Sequence, residues 1–114
     1  MRNDNLLSEP ESLALYAIIG LGNDADATSI RKRIKERTGR DLSVGAIYAM
    51  LDRLEEDKKF ITSRPGQATA PRGNREVKFF SVDAAGMRAL DEMERAQDRM
   101  REGLLIGNMI PTGV

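Results

Sequence analysis

The sequence predicts a mostly α-helical fold with a small β-hairpin, an α+β class, and three observations support it. Apolar residues recur at helical spacing in four segments, and a helix-capping residue stands before each of them. Two short segments rich in Phe, Val, Ile and Thr flank a loop that contains Pro and Gly, as in a hairpin. A length of 114 residues with 40% hydrophobic and 32% charged residues fits one globular unit with a single core.

The first two predicted helices have clear start and stop signals. Ser8 and Glu11 form a capping box at the start of the first helix, and its apolar pattern ends near Gly20. After a turn, the second helix begins at Asp26 or Thr28 and ends at Gly39. It places Ile30 and Ile34 on one face and several Arg and Lys side chains on the other.

The third predicted helix begins after the N-cap Ser43 and has a face of small side chains. Ile47, Leu51 and Leu54 repeat at i, i+4 and i+7 and are expected to face the core. The opposite face carries Gly45, Ala46, Tyr48, Ala49, Asp52 and Arg53. Small side chains would let this helix approach the base edges of DNA closely.

The hairpin is predicted from residues 60–64 and 76–82, with Pro65, Gly66, Pro71 and Gly73 in the loop between them. A helix followed by a strand, a basic loop and a second strand is the order of a winged helix-turn-helix domain. The first hypothesis is therefore a domain that binds double-stranded DNA.

The fourth predicted helix starts after Asp83 and has the spacing of a coiled-coil seam. From Gly86 onward, steps of four and three residues lead to the predicted dimerisation residues Leu90, Met93, Gln97, Met100 and Leu104. The alternative is an amphipathic helix that packs on its own domain. We expect a DNA-binding domain over residues 8–83 and a C-terminal dimerisation helix and tail over residues 84–114, the tail being a second dimer contact or a frayed end.

Composition excludes several classes of chemistry. The chain has no Cys and no His, which removes disulfides, thiol nucleophiles and imidazole catalysis, and no metal or other cofactor is predicted. Glu55 and Glu56 are neighbours on a helix and point apart, so they cannot act as a catalytic pair. The sequence is not that of an enzyme. The longest apolar run, residues 13–21, is far shorter than the ~20 residues of a membrane span, so no membrane association and a cytoplasmic location are expected.

Charge is distributed unevenly along a chain whose formal net charge is zero. Residues 27–82 contain thirteen Lys or Arg against seven Asp or Glu, which leaves the two ends acidic. Such a layout could present a positive face to DNA phosphates. The equally plain alternative is that charged helical faces only keep the protein soluble.

The residues quoted above resemble a known family, the PadR-type transcriptional regulators, which are winged-helix proteins of bacteria and archaea. The matching motifs are Leu42-Ser43-x-Gly45-x-Ile47-Tyr48-x-x-Leu51-x-Arg53-Leu54-Glu55, Arg72-Gly73-Asn74-Arg75 and Lys78-Phe79-Phe80-x-Val82-x-x-x-Gly86. The resemblance covers roughly residues 13–90. It includes the long wing of one subgroup and a short C-terminal helical region.

The resemblance implies that the third helix enters the major groove while the wing contacts phosphates or the minor groove. The implied DNA-binding residues are Thr28, Lys32, Ser43, Gly45, Ala46, Tyr48, Ala49, Arg53, Arg72, Asn74, Arg75 and Lys78. The Tyr48 hydroxyl is expected on a phosphate, although its ring could instead pack between helices. Arg53 could instead pair with Glu56 or Asp57.

Two departures from the family pattern carry structural expectations. The family has a Gly after the third helix, where this chain has Lys58 and Lys59 with one apparent extra residue, so the helix end is expected to be built differently. The family's wing strand often carries a Tyr pair, which is Phe79 and Phe80 here, so those hydroxyls cannot bind phosphate in this chain.

By resemblance the protein would be a homodimeric regulator, a repressor, on a palindromic DNA site. Two other interpretations remain open. A winged-helix module can bind protein instead of DNA, which the neutral net charge would suit. As in related regulators, a small apolar effector could also bind at the dimer interface, where Met87, Met93 and Met100 would make a soft lining, although Met at helical spacing is more often core.

Overall fold

The computed structural model describes residues 6–66 and 77–104. Its helices are α1 (Glu9–Gly20), α2 (Ala27–Thr38), α3 (Val44–Asp52) and α4 (Ala84–Arg101), and its strands are β1 (Ala25–Asp26), β2 (Ile61–Gly66) and β3 (Val77–Val82). A π-helical turn, Arg53–Asp57, continues α3. The predicted α+β class is confirmed.

The predicted helix ends are found where the capping residues stand. Ser8 and Glu11 form the full capping box of α1, Ser43 accepts a hydrogen bond from the Ala46 N–H, and Asp83 accepts one from the Gly86 N–H. Gly39 ends α2 in the left-handed region at a φ of +79°. Side-chain hydroxyls and carboxylates thus satisfy backbone N–H groups that an uncapped helix would leave without a partner.

The sheet has three antiparallel strands in the order β1-β3-β2, and β1 was not predicted from the sequence. β2 and β3 pair from Ile61 opposite Val82 to Gly66 opposite Val77. β1 adds only two residues, with Ala25 opposite Phe80. Just before it, the Asn23 side chain accepts a hydrogen bond from the Val82 N–H at 2.7 Å and donates to the Val82 carbonyl at 3.3 Å. This side chain continues the contact with β3 two residues beyond the Ala25–Phe80 pair.

One hydrophobic core lies between the three-helix layer and the sheet. Its fully buried larger side chains are Leu15 and Ile18 from α1, Ile30 from α2, Ile47 and Leu51 from α3, and Leu54 and Ile61 beyond it. The predicted inward face of α3 is therefore confirmed. Burial of each such side chain stabilises the fold by ~1.5–3 kcal/mol before conformational entropy is subtracted.

The end of α3 is built as the sequence suggested, with an extra residue. The π-helical turn closes on a hydrogen bond from the Lys58 N–H to the Arg53 carbonyl at 3.0 Å, a loop one residue wider than an α-helical turn. Lys59 then adopts a left-handed φ of +58°, a conformation that glycine enters with less strain. Phe60 follows and is buried in the core.

α4 packs on the domain through its first half, as far as Met93 and Glu94. Gly86 lies so close to β2 and β3 that an added Cβ would stand 2.4 Å from the Phe60 carbonyl oxygen. Leu90 belongs to the core of the single chain and is only 5% exposed, so the dimerisation role predicted for it does not fit its placement. Leu104 does not continue the predicted seam either, because the helix ends at Arg101 and Gly103 turns the chain at a φ of +79°.

Candidate nucleic-acid interface

The outer face of α3 is open, small and uncharged along its first two turns. Gly45, Ala46 and Ala49 are exposed, and a Cβ added to Gly45 would meet nothing within 4 Å. Tyr48 stands beside them with 51% of its surface exposed, so its ring is not packed between helices. This surface offers backbone, small side chains and one phenol hydroxyl to anything that approaches it.

A narrow cleft brings the start of α2 next to this face. Thr28 from α2 and Val44 and Tyr48 from α3 line a cleft of about 80 Å³, floored by Ala27 and Ile47. The structure therefore places two predicted site residues, Thr28 and Tyr48, on one surface. Thr28 and Val44 belong to the first turns of α2 and α3, so the positive ends of both helix dipoles lie at this cleft.

Arg31 holds the connection between α2 and α3. Its Nε donates to the Leu42 carbonyl at 2.6 Å, and its Nη2 bonds the Asp41 carboxylate at 3.0 Å. Lys35 adds a second, longer contact to Asp41 at 3.5 Å. The sequence interpretation gave Arg31 no role, since an Arg in a run of charges resembles any solvated side chain. Its contacts fix the turn that sets α3 relative to α2.

The far end of α3 is held by a buried carboxylate, Glu11, which is 3% exposed. The Lys58 Nζ donates to it at 2.7 Å and also to the Leu6 carbonyl, while the Arg53 Nε lies 3.8 Å from its second oxygen. Arg53 therefore pairs across the domain and with neither Glu56 nor Asp57. Burial by itself raises the pKa of Glu11, but the hydrogen bonds from Lys58 and Ser8 outweigh it and hold the pKa below its ordinary value.

The base of the wing is tied to the rest of the domain through Arg64. Its Nε and Nη2 form a two-pronged contact with Asp24 at 3.1 and 2.6 Å, and its guanidinium lies 4.8 Å from the centre of the Phe79 ring. Phe79 also covers Gly66, where a Cβ would lie 2.1 Å from the ring. Phe79 has no hydroxyl group that could bind phosphate, and its ring instead packs at the base of the wing.

Other predicted DNA-binding residues do not line the cleft that contains Thr28 and Tyr48. Lys78 is exposed on β3 opposite Pro65, at the base of the wing. Lys32 is exposed but lines a separate depression on α2 with Ser29, Arg33 and others, so the structure does not bring it into the cleft with Thr28 and Tyr48. Arg72, Asn74 and Arg75 lie outside the described residues.

Beyond Glu94, every residue of α4 is exposed. Met93 is half-buried, Gln97 is exposed, and Met100 has 79% of its surface exposed. One polar contact supports the helix where it departs: the Tyr16 hydroxyl on α1 donates to the Glu94 carboxylate at 2.6 Å. Burial, together with this contact, raises the pKa of Tyr16 to about 12.

The candidate effector lining is spread along α4. Met87 and Met100 are both exposed and stand thirteen residues apart, which is about 20 Å along a helix. A single chain therefore cannot bring them around one small molecule. The pocket between α1 and α2, of about 180 Å³, is lined instead by Leu13, Tyr16, Ala17, Arg33, Ile34, Arg37 and Thr38.

Within residues 6–66 and 77–104, no helix is long and apolar enough to cross a membrane. The same part of the chain contains no group of three or more carboxylates arranged to hold a metal ion.

Three helices followed by an antiparallel hairpin, with the third helix exposed on its outer side, form a winged-helix fold. A family model described as the transcriptional regulator PadR-like family matches residues 17–92, which is well over half of the chain. The chain therefore belongs to the PadR-like family, as its motifs predicted, and this is a family of transcriptional regulators rather than enzymes.

Solved structures agree with this fold. A PadR family transcription regulator from Clostridium difficile R20291 is 20% identical, with a TM-score of 0.68 over 90% of this chain and 100% of the other. A PadR-like transcriptional regulator from Bacillus cereus is 17% identical, with a TM-score of 0.66 over 92% and 93%. F93 from STIV, a winged-helix DNA-binding protein, is 22% identical, with a TM-score of 0.63 over 80% and 89%. A search of curated proteins returned no match.

Proposed function

We propose that this protein is a sequence-specific DNA-binding regulator that acts as a homodimer on a palindromic site and represses transcription from it. The observation that carries the proposal is the outer face of α3, where Gly45, Ala46 and Ala49 leave the helix backbone accessible. A helix with such a face fits closely against base edges in a major groove. Repression is the mode that the family resemblance implies, and the cytoplasm is where such a protein would meet chromosomal DNA.

Several further residues would anchor the protein on the DNA backbone in this arrangement. Thr28 and Tyr48 line the same cleft and would contact phosphates next to the groove, together with Ser43 at the start of α3. Lys78 would act from the base of the wing, and Arg72, Asn74 and Arg75 from the wing itself. Arg53 is held toward Glu11 and would contribute less.

The homodimer proposal rests on the exposed end of α4. Met93, Gln97 and Met100 follow one another at seam spacing; Met93 is half-buried against its own core, whereas Gln97 and Met100 are exposed. A second copy packing against this end would bury Met100, whose exposure in the single chain is otherwise unfavourable. A two-fold dimer would place two α3 helices on half-sites about one helical turn, ~34 Å, apart.

The proposal is tested by fluorescence anisotropy with DNA from the region upstream of the protein's own gene and with scrambled DNA, each at two salt concentrations. Tighter binding to the upstream DNA that persists at the higher salt concentration would support a sequence-specific regulator. A folded dimer that binds neither DNA would point instead to the alternative, a winged-helix module that recognises protein.

A matched pair of variants ties any binding to α3. Ala49→Leu adds three carbon atoms to the exposed face of α3, and Ala84→Leu adds them to an exposed position in the first turn of α4. We expect Ala49→Leu to weaken binding to the specific site about tenfold or more, because the added atoms would separate the helix from the base edges. Ala84→Leu should bind as the wild type does, and equal binding by both variants would contradict the proposed interface.

The wing is tested by the salt dependence of binding. If Lys78 and the wing Arg72 and Arg75 contact phosphates, replacing them with Ala should lower affinity for all sequences. The slope of log K against log[salt] should then fall by about one for each phosphate that the variant no longer neutralises. An unchanged slope would contradict their role.

The small apolar effector has its own direct test, a thermal-shift screen of the dimer with aromatic and cationic compounds. A compound that binds the folded dimer would raise its unfolding temperature. Stabilisation by none of them would remove the main support for an effector.

A further inference from the structure

Charge changes abruptly along the outer surface of α3 and the turn that follows. From Ser43 to Leu51 the chain carries no charged side chain, and Asp52 is the first. The next residues are strongly charged, with Arg53, Glu55, Glu56, Asp57 and Lys58 in close succession. The surface proposed to meet DNA therefore ends at a carboxylate, although DNA carries a dense negative charge.

The basic residues near Asp52 do not neutralise it. Lys58 bonds the buried Glu11 at 2.7 Å, and the Arg53 Nε is directed toward the same carboxylate at 3.8 Å. Within residues 6–66 and 77–104, no ion pair or side-chain hydrogen bond reaches Asp52. Lys58 and Arg53 are thus directed toward Glu11, and the Asp52 carboxylate is left exposed.

The position of Asp52 places it on the face that would enter the groove. Gly45, Ala49 and Asp52 are spaced i, i+4 and i+7, and they lie opposite Ile47, Leu51 and Leu54, which have the same spacing and are buried. Asp52 stands about 10 Å along the helix from Gly45, a distance that corresponds to about three base pairs. It is exposed in the same way as the small residues before it.

The chemistry of a carboxylate limits what Asp52 can bind in a major groove. An ionised carboxylate only accepts hydrogen bonds, so phosphate oxygens, thymine O4 and guanine O6 and N7 all repel it. The donors in the groove are the amino groups of cytosine and adenine, and adenine places an acceptor, N7, beside its amino group. Cytosine N4 is therefore the partner that best fits an isolated carboxylate.

We infer that Asp52 is a specificity-determining residue that accepts a hydrogen bond from the N4 amino group of a cytosine in each half-site. This inference rests on the proposed function, because it assigns a base to one residue of the same α3 face. Asp52 also discriminates by repulsion, since any base pair that presents an acceptor at that position leaves the carboxylate desolvated and without a partner.

The test selects bound sequences from a random DNA library with the wild type, Asp52→Asn and Asp52→Ala. Glu92→Gln is the control, because it removes one negative charge, as the Asp52 variants do. Glu92 is exposed on α4 and lies away from the proposed seam. The wild type and the control should both require cytosine at one position of each half-site. Replacing that C·G pair with T·A should weaken wild-type binding roughly tenfold, the usual effect of one mismatched pair.

The variants distinguish hydrogen bonding from simple charge. Asp52→Ala should bind the C·G and T·A sites within about twofold of each other, because neither base meets a partner. Asp52→Asn should regain affinity for the T·A site, since its amide can donate to thymine O4. Variants that bind every sequence more tightly by one common factor would show that Asp52 merely repels phosphates, and this result would overturn the inference.

The two levels of the proposal fail differently. If the wild type selects a defined sequence and both Asp52 variants select the same one, the inference about Asp52 is wrong and the proposed function survives. If the wild type selects no sequence at all, the proposed function fails, and the assignment of a base to Asp52 fails with it.

Discussion

Helices α3 and α4 differ in how the domain holds them. α3 is fixed at both ends: Arg31 bonds the turn before it through the Leu42 carbonyl, and Glu11 binds Lys58 just beyond it. α4 is fixed along its first half, where Gly86 and Leu90 pack in the core and Tyr16 bonds Glu94, and the helix beyond Glu94 is exposed.

The difference corresponds to what each helix is proposed to contact. A helix that reads base edges must hold its side chains in a fixed position before DNA arrives, because small displacements at such an interface cost much of its affinity. A helix that pairs with a second copy gains its missing contacts from that copy. Support at both ends therefore suits DNA recognition, and support at one end suits dimerisation.

The largest effect should come from removing the support at the start of α4. Leu90→Ala deletes a buried side chain, and we expect it to lower the free energy of unfolding by about 3 kcal/mol. Met100→Ala is the matched control at the exposed end and should change it by less than about 0.5 kcal/mol in the monomer. Urea denaturation at a chain concentration that keeps the protein monomeric measures both. Equal losses would contradict the difference between the two ends of α4.

A smaller loss is expected when the support beyond α3 is broken. Glu11→Gln leaves the largely buried Lys58 ammonium without its carboxylate and should lower the free energy of unfolding by about 2 kcal/mol at neutral pH. Compared with the wild type, hydrogen exchange in Glu11→Gln should speed up in residues 53–58 and stay unchanged in α4. Glu9→Gln, which removes an exposed ion pair with Arg40, is the control and should have little effect.

The pH dependence of this loss follows from the lowered pKa of Glu11. In the unfolded chain the carboxyl group takes up its proton at a higher pH, so acid favours unfolding. The difference in free energy of unfolding between the wild type and Glu11→Gln should be fully present above about pH 4.5, the ordinary pKa of a Glu carboxyl group. It should shrink as the pH falls through the lowered pKa of the folded protein. A difference that grows in acid would contradict a supporting role for the ionised carboxylate.

Charge at the exposed end of α4 should act on association and not on folding. Met100→Glu would place a carboxylate in the proposed seam, and we expect the dimer dissociation constant to rise at least about tenfold, or ~1.4 kcal/mol. Arg99→Glu places the same group on another face of the helix and should change dimerisation less. Sedimentation equilibrium measures both constants, and equal effects would contradict the seam.

The smallest effect should come from the contact that supports α4 where it leaves the domain. Tyr16→Phe removes the hydrogen bond to Glu94 and should lower the free energy of unfolding by less than about 1 kcal/mol, because this hydrogen bond is exposed to solvent. Since the folded protein raises the pKa of Tyr16 from 10.0 to about 12, the contribution should be complete below pH 10 and lost between pH 10 and 12. Thermal unfolding of both proteins across this range provides the measurement. A stability difference between the wild type and Tyr16→Phe that persists above pH 12 would contradict a contribution from the Tyr16 hydroxyl proton.

The sequence predicted those parts of the fold that depend on neighbouring residues. Ser8, Ser43 and Asp83 are helix caps, and a cap needs only the backbone N–H groups two or three residues ahead of it. The inward face of α3 followed from the spacing of Ile47 and Leu51. These features have local causes and so can be read from a single sequence.

Features that depend on distant residues were missed. β1 has only two residues and pairs with β3 more than fifty residues later, so no periodic pattern marks it. Glu11 was recognised as a cap but not as the partner of Lys58, because its own segment gives no sign of that contact. The seam spacing of α4 was also ambiguous, since Leu90 and Met100 obey the same period although the core covers only Leu90.

The π-helical turn after α3 has a consequence for how this protein can change over evolutionary time. An inserted residue in an ordinary helix would rotate everything beyond it by about 100° and turn a reading surface away from its target. Here the widened turn at Arg53–Asp57 absorbs the added length after the reading surface has ended and before Ile61 enters the sheet. Insertions and deletions at this place can thus accumulate without altering which side chains the helix presents.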